Sequence, residues 1–260
     1  MIPNMLTMLA LCAGMTAIRF ALGGRFEAAV TAIIVAAVLD GLDGRVARLL
    51  KASSTFGAEL DSLSDVVCFG VAPALMLYVW TLSTLGSLGW AVALLFTVCM
   101  ALRLARFNTQ MGITDKPSYA YNFNTGVPAP AAAGLALLPL CASFEFGLPF
   151  AHSPYLCAAT TVLTAGLMVS RLPTYSGKGF RVPADWVLPL MILVGILFAF
   201  MTTAPWPTLL GLGLAYLASI PFSLRSYAKL RTAAEAIRAR PDTPHLRAVE
   251  TEPVTRDAAP

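Results

Sequence analysis

Charge is what this sequence has least of. Asp, Glu, Lys and Arg make up 12% of its 260 residues, against roughly 25% in an ordinary soluble domain. So little charge cannot cover a water-facing surface, and a hydrophobic content of 57% points to lipid as the solvent for most of the chain. Histidine is almost missing. His152 falls in a connection expected on the outer side and His245 in the polar tail, so neither belongs beside the acids described below. The five cysteines, Cys12, Cys68, Cys99, Cys141 and Cys157, lie in or near apolar stretches without CxxC spacing. That argues against disulfides and zinc, and for small packing side chains. No basic region precedes the first apolar run and no clear small-residue cleavage site follows it, so a cleaved leader is not expected. Nothing reads as a separate soluble domain, and no nucleic-acid partner is expected.

Long apolar runs are what the chain does have. Eight occur, at about 5–22, 27–49, 60–82, 88–107, 127–148, 154–170, 186–204 and 206–224, each near the ~20 residues needed to cross a bilayer. The expected fold is an all-α, polytopic membrane bundle of about eight transmembrane helices, with Pro205 and Pro207 in a tight turn before the last. Basic residues are sorted by side. Arg45, Arg48 and Lys51 follow the second run, Arg103, Arg106 and Lys116 mark the end of the fourth, and Arg171, Lys178 and Arg181 follow the sixth. Arg225, Lys229, Arg231 and four later arginines follow the eighth, whereas the opposite connections hold only Arg19 and Arg25. The positive-inside rule then puts both termini and the even-numbered connections in the cytoplasm. Residues 1–225 are expected to form the membrane domain and 226–260 a cytoplasmic polar tail, loosely ordered from about Ala234.

Charge beside a membrane span is costly, so its exceptions carry information. Asp40, Asp43, Glu59, Asp61 and Asp65 crowd between the second and third runs. On a helix Asp40 and Asp43 share one face at i and i+3, and Asp61 and Asp65 share another at i and i+4; Glu59 falls off it. The connection between the runs is short and polar, so an antiparallel hairpin brings the two pairs together. Four carboxylates gathered in this way repel one another unless cations lie between them. Hard oxygen ligands without nearby His or Cys favour Mg2+ or Mn2+, and a pair of such ions suits phosphoryl chemistry. Gly44, Ala47 and Gly57 keep the neighbouring helix surfaces low enough for a large anionic ligand, and Arg48 adds a cation at the same level.

Taken together the residues read Asp40-x-x-Asp43-Gly44-x-x-Ala47-Arg48, eight residues, then Gly57-x-x-x-Asp61-x-x-x-Asp65. This resembles the complete signature of the CDP-alcohol phosphotransferase family. The opening Pro3-Asn4-Met5-Leu6-Thr7 is similar to that family's entry into its first helix. The stretches LDSLSDVVCFGVAPA (60–74), ALRLARFN (101–108), GVPAPAAA (126–133) and LMVSRLPTYS (167–176) resemble its phosphatidylserine synthase branch, with Cys68 standing where Ser is expected.

The resemblance implies transfer of the phosphatidyl group from CDP-diacylglycerol to L-serine with release of CMP. It also implies two Mg2+ or Mn2+ ions held by Asp40, Asp43, Asp61 and Asp65, with Asp65 as the general base. Gly44, Ala47, Arg48 and Gly57 would line the nucleotide pocket. A homodimer in contact with membrane lipids, in the bacterial inner membrane with its site facing the cytoplasm, is expected with it.

The acceptor's carboxylate calls for arginine, whose fork matches it bidentately. Arg103 and Arg106 lead as acceptor-binding residues, against the alternative that they are ordinary positive-inside flanks, and Arg171 follows. Asn108, Asn122 and Asn124 are further polar residues near the same end, with the acceptor ammonium or the ribose as possible contacts. Glycerol 3-phosphate or an inositol compound stays open as the acceptor. A transporter using the acids as an ion relay is the reading from another class.

Overall fold

The computed structural model describes residues 2–50, 54–111, 123–147, 152–170, 172–175 and 186–238. Helices occupy each of the eight apolar stretches. The first two are α1 (Ile2–Leu22) and α2 (Phe26–Leu49). Between them Gly24 takes φ +70°, Gly24 N–H donates to Ala21 O at 3.0 Å, and Arg25 N–H donates to Phe20 O at 2.9 Å. These paired bonds form a Schellman cap, whose left-handed residue glycine adopts without a Cβ penalty. The chain therefore reverses sharply. Ala17, Ala21, Ala29 and Ala36 are all buried, and such small side chains let the two helices run close together. The start of α1 consequently lies beside the end of α2.

The next helical stretch bends through three parts: α3 (Thr55–Asp65), a π-helical segment (Val66–Val71) and α4 (Ala72–Trp80). Ser54 caps α3, its Oγ accepting from Gly57 N–H at 3.0 Å. The π segment has a local cause. Pro73 has no N–H to give and its ring crowds the preceding turn, so the backbone widens just before it. The wide turn buries Cys68, Phe69 and Gly70 against α1 and against α5 (Ser87–Met111). Gly14 on α1 leaves room for Cys68, since a Cβ there would lie 2.5 Å from its Sγ. Cys68 donates to Ala10 O at 3.3 Å.

A three-residue ladder interrupts the helices. β1 (Phe123–Thr125) pairs antiparallel with β2 (Pro173–Tyr175), Asn124 opposite Thr174. Gly126 beside it has φ +79°, and a Cβ would meet Met168 O at 2.4 Å, so glycine is required there. Between the strands come α6 (Ala129–Ala136), α7 (Leu138–Phe146) and α8 (Pro154–Val169). α6 and α7 meet at 44°, with Pro139 in the first turn of α7. The chain closes with α9 (Val187–Thr203) and α10 (Pro205–Arg238), separated at Ala204. Phe69, Phe96, Met76, Met100 and Met168 fill the centre of the bundle.

The architecture is helical, as expected, with the small ladder as an addition. Among the described residues four helices are long and apolar enough to cross a membrane, and the bent pair α6–α7 makes a fifth if it is one span. Pro154–Val169 and Val187–Thr203 are apolar but shorter, while α2 has the length and carries Glu27, Asp40, Asp43, Arg45 and Arg48. One expectation needs correction. α10 continues well past residue 225 to Arg238, so the start of the segment expected to be a loose tail is helical. Ala- and Arg-rich sequence with high helix propensity explains it. Residues 239–260 lie outside the described residues.

Candidate active site

The ends of α2 and α3 bring carboxylates together as the sequence predicts, but in a group of three plus one. One oxygen each from Asp40, Asp61 and Asp65 lies within 4.8 Å of the others. All three side chains are half-buried. Asp61 Oδ1 is buried without a hydrogen-bond partner among the described residues. An unpaired carboxylate oxygen is costly to bury, and three carboxylates this close need positive charge between them. A divalent ion that prefers hard oxygen ligands fits this donor set.

Asp43 stands apart from the three. It is 5% exposed, and its Oδ2 accepts a 2.5 Å hydrogen bond from Thr7 Oγ1 on α1. Its charge still reaches Asp40 and Asp61. Ser64, between the two α3 acids, donates to the Thr7 carbonyl at 3.4 Å. Thus α1 joins both acid-bearing helices. Glu59 is exposed and off the site.

A polar cavity of about 370 Å3 opens beside the acids. Gly44, Ala47, Arg48 and Gly57 all line it with Asp43, Asp61 and Asp65, as do Asn4 and Thr7 from α1 and Leu104, Phe107 and Asn108 from α5. At Gly57 a Cβ would come within 3.1 Å of Asn4 Oδ1 and of Ser54 Oγ, which explains the glycine. Beside Gly44 the surface is open, the nearest atom being Arg48 Nη1 at 3.9 Å.

The arginines separate. Arg103 is half-buried on α5, its Nε without a hydrogen-bond partner among the described residues, and it feels the charges of Asp65 and of Tyr216 on α10. Arg106 Nη1 instead donates to Val169 O at 3.1 Å, satisfying a carbonyl at the end of α8. Arg171, Asn122 and His245 lie outside the described residues, and Asn124 belongs to β1. His152 is exposed and meets Trp80 edge-on at 4.8 Å. The five cysteines are free thiols.

A second, apolar cavity of about 470 Å3 lies between α2, the π segment, α6, α7 and α10. Ala37 and Phe69 on its wall are one helical turn from Asp40 and Asp65 respectively.

Sequence reasoning missed Thr7 as a partner of Asp43, Asn4 as a neighbour of Gly57, and the contact of Ser62 with Asn108 described below. Asn4 and Thr7 sit at i and i+3 on one helix face, the only signal available beforehand.

A profile of the CDP-alcohol phosphatidyltransferase family matches residues 1–170, which include every acid of the cluster. The chain belongs to that family. A second profile, CDP-alcohol phosphatidyltransferase 2, matches residues 185–221. The chain is 42% identical over 225 residues to the CDP-diacylglycerol–serine O-phosphatidyltransferase of Mycobacterium bovis, covering 86% of this chain and 78% of that protein. It is 37% identical over 217 residues to the protein of the same name in Helicobacter pylori, covering 82% and 88%. Family membership and the apolar helices together make it an integral membrane protein.

Proposed function

We propose that the chain transfers the phosphatidyl group of CDP-diacylglycerol to the hydroxyl of L-serine, giving phosphatidylserine and CMP. The observation that carries the chemistry is the convergence of the whole family signature on one polar cavity. The name shared by relatives 37–42% identical over most of the chain supports serine as acceptor.

In this reading Asp40, Asp43, Asp61 and Asp65 hold divalent metal, Mg2+ or Mn2+, as two ions. Bound there, metal would neutralise charge on the pyrophosphate and on the departing CMP. Gly44, Ala47 and Gly57 let the nucleotide approach the backbone, and Arg48 offers it a cation. Asp65 takes the proton of the serine hydroxyl as the new oxygen–phosphorus bond forms and the bond to CMP breaks. Arg103, next to Asp65, reads the serine carboxylate, with Arg106 flanking it from the same helix. The apolar cavity one turn below the acids has the chemistry a diacylglycerol tail needs.

The reading includes eight crossings, both termini in the cytoplasm and a homodimer in the inner membrane. Its topology is supported by the ends that meet at the cavity. The starts of α1 and α3 and the ends of α2 and α5 are the ends that the arginine and lysine distribution assigns to the cytoplasm.

Membranes carrying the protein, incubated with CDP-diacylglycerol, Mn2+ or Mg2+ and each labelled alcohol in turn, test the acceptor. Phosphatidylserine is the expected product. Phosphatidylglycerophosphate or an inositol lipid in its place sinks the serine assignment.

A further inference from the structure

The α5 wall of the polar cavity carries a hydrogen-bonded pair that none of these roles uses. Ser62, next to Asp61 on α3, has its Oγ 2.9 Å from Asn108 Nδ2 and 3.1 Å from Asn108 Oδ1. The same Oγ lies 3.0 Å from Ala58 O, to which it can donate. Both residues line the cavity. A hydroxyl has one proton to give, whereas a carboxamide has two N–H groups and a carbonyl with two lone pairs. Whichever way the Ser62 hydroxyl turns, Asn108 keeps one N–H and one oxygen lone pair without a partner among the described residues.

We propose that Asn108, held in place by Ser62, accepts a hydrogen bond from the ammonium group of an amino-acid acceptor whose carboxylate lies at Arg103. The inference rests on the serine reading above and assigns the part of the acceptor that distinguishes serine from an amine-free alcohol. Three features of the site support it. Gly44, Ala47, Arg48 and Gly57 form the α2 and α3 side of the cavity, leaving the α5 side to the second substrate. Arg103 and Asn108 share α5, and the hydroxyl of an acceptor spanning them must still reach Asp65. A neutral carbonyl also attracts an ammonium group without adding a further negative charge beside Asp40, Asp61 and Asp65.

The test uses the purified full-length enzyme, measuring CMP release against serine and against CDP-diacylglycerol. Asn108→Ala should raise the serine KM about 10-fold or more, the size expected for a hydrogen bond to a charged group, and leave the CDP-diacylglycerol KM unchanged. Ser62→Ala should shift the serine KM in the same direction by less, and Ser62→Thr should restore it. It also carries the test should Asn108→Ala fail to fold. Competition sharpens the assignment. In the wild type, 3-hydroxypropionate, which lacks the ammonium, should inhibit far more weakly than serine binds, and in Asn108→Ala that gap should close. Discrimination against ethanolamine, which lacks the carboxylate, should survive. An unchanged serine KM, or a CDP-diacylglycerol KM that rises instead, overturns the role of Asn108. A wild type that releases no CMP with serine overturns the acceptor reading itself, a separate result.

Discussion

Thr7→Val isolates one bond at the heart of the site. Valine keeps the branched shape and removes the hydroxyl that donates to Asp43 Oδ2 at 2.5 Å. Asp43 is 5% exposed, so water has little access to replace the lost donor. The other tie at this residue survives, because Ser64 donates to the Thr7 backbone carbonyl. Helix packing should therefore persist while the Asp43 carboxylate loses its anchor. Hydrogen bonds to charged groups contribute about 1.5–3 kcal/mol, and each 1.36 kcal/mol is a factor of ten. The Mn2+ concentration giving half-maximal CMP release should rise about 10- to 100-fold on that scale, with Thr7→Ser close to wild type. A parallel titration of Mn2+ binding by electron paramagnetic resonance separates affinity from turnover. The same Mn2+ midpoint in Thr7→Val and wild type would refute the reasoning, since Asp43 would then need no help from α1 to do its work.

Three further outcomes follow from the same geometry. Asp65→Asn should lower CMP release about 100- to 10,000-fold, the usual contribution of a positioned base, while CDP-diacylglycerol binding largely persists; retained turnover removes Asp65 from that role. Gly14→Ala places a Cβ 2.5 Å from Cys68 Sγ and 3.0 Å from its Cα, so Tm in detergent should fall by the equivalent of about 1–3 kcal/mol of overpacking, and an unchanged Tm would show that α1 and the π segment are free to separate. Arg106→Gln removes the bond to Val169 O and should lower stability by about 1 kcal/mol with the serine KM unmoved; a raised serine KM would place Arg106 in the acceptor pocket instead.

The apolar runs were legible because lipid demands long uninterrupted stretches, and the acids because fixed spacing on a helix fixes a face. What escaped were contacts between residues distant in the chain. Nothing in a single sequence says that Thr7 will find Asp43, since the bond depends on how tightly Gly24 turns the chain. The π segment was hidden for another reason. Pro73 marks a disturbance, yet an apolar run reads the same whether its turns are α or π. Asn108 was read as a loop residue because polarity was taken as the end of the fourth run. α5 instead continues to Met111, and polar residues in its last turns still propagate a helix. α10 ran long for the same reason.

These misses share a cause that bears on how the site works. The signature residues sit on α2 and α3, and those two helices alone would leave Asp43 without a donor and the cavity without two of its walls. α1 supplies one wall because the Gly24 cap sends its start back beside the end of α2. α5 supplies the other because it reaches Asn108 before it ends. Ser62 and Ser64 flank the acid positions of α3 and turn outward to these two neighbours, Ser64 to Thr7 and Ser62 to Asn108. The acids thus face one another while the serines between them hold the helices that complete the cavity. A substitution at either serine should therefore act on the site through a different helix, Ser64 through the metal-holding side and Ser62 through the acceptor side. A Ser64→Ala variant that altered serine KM but not metal dependence would contradict that division.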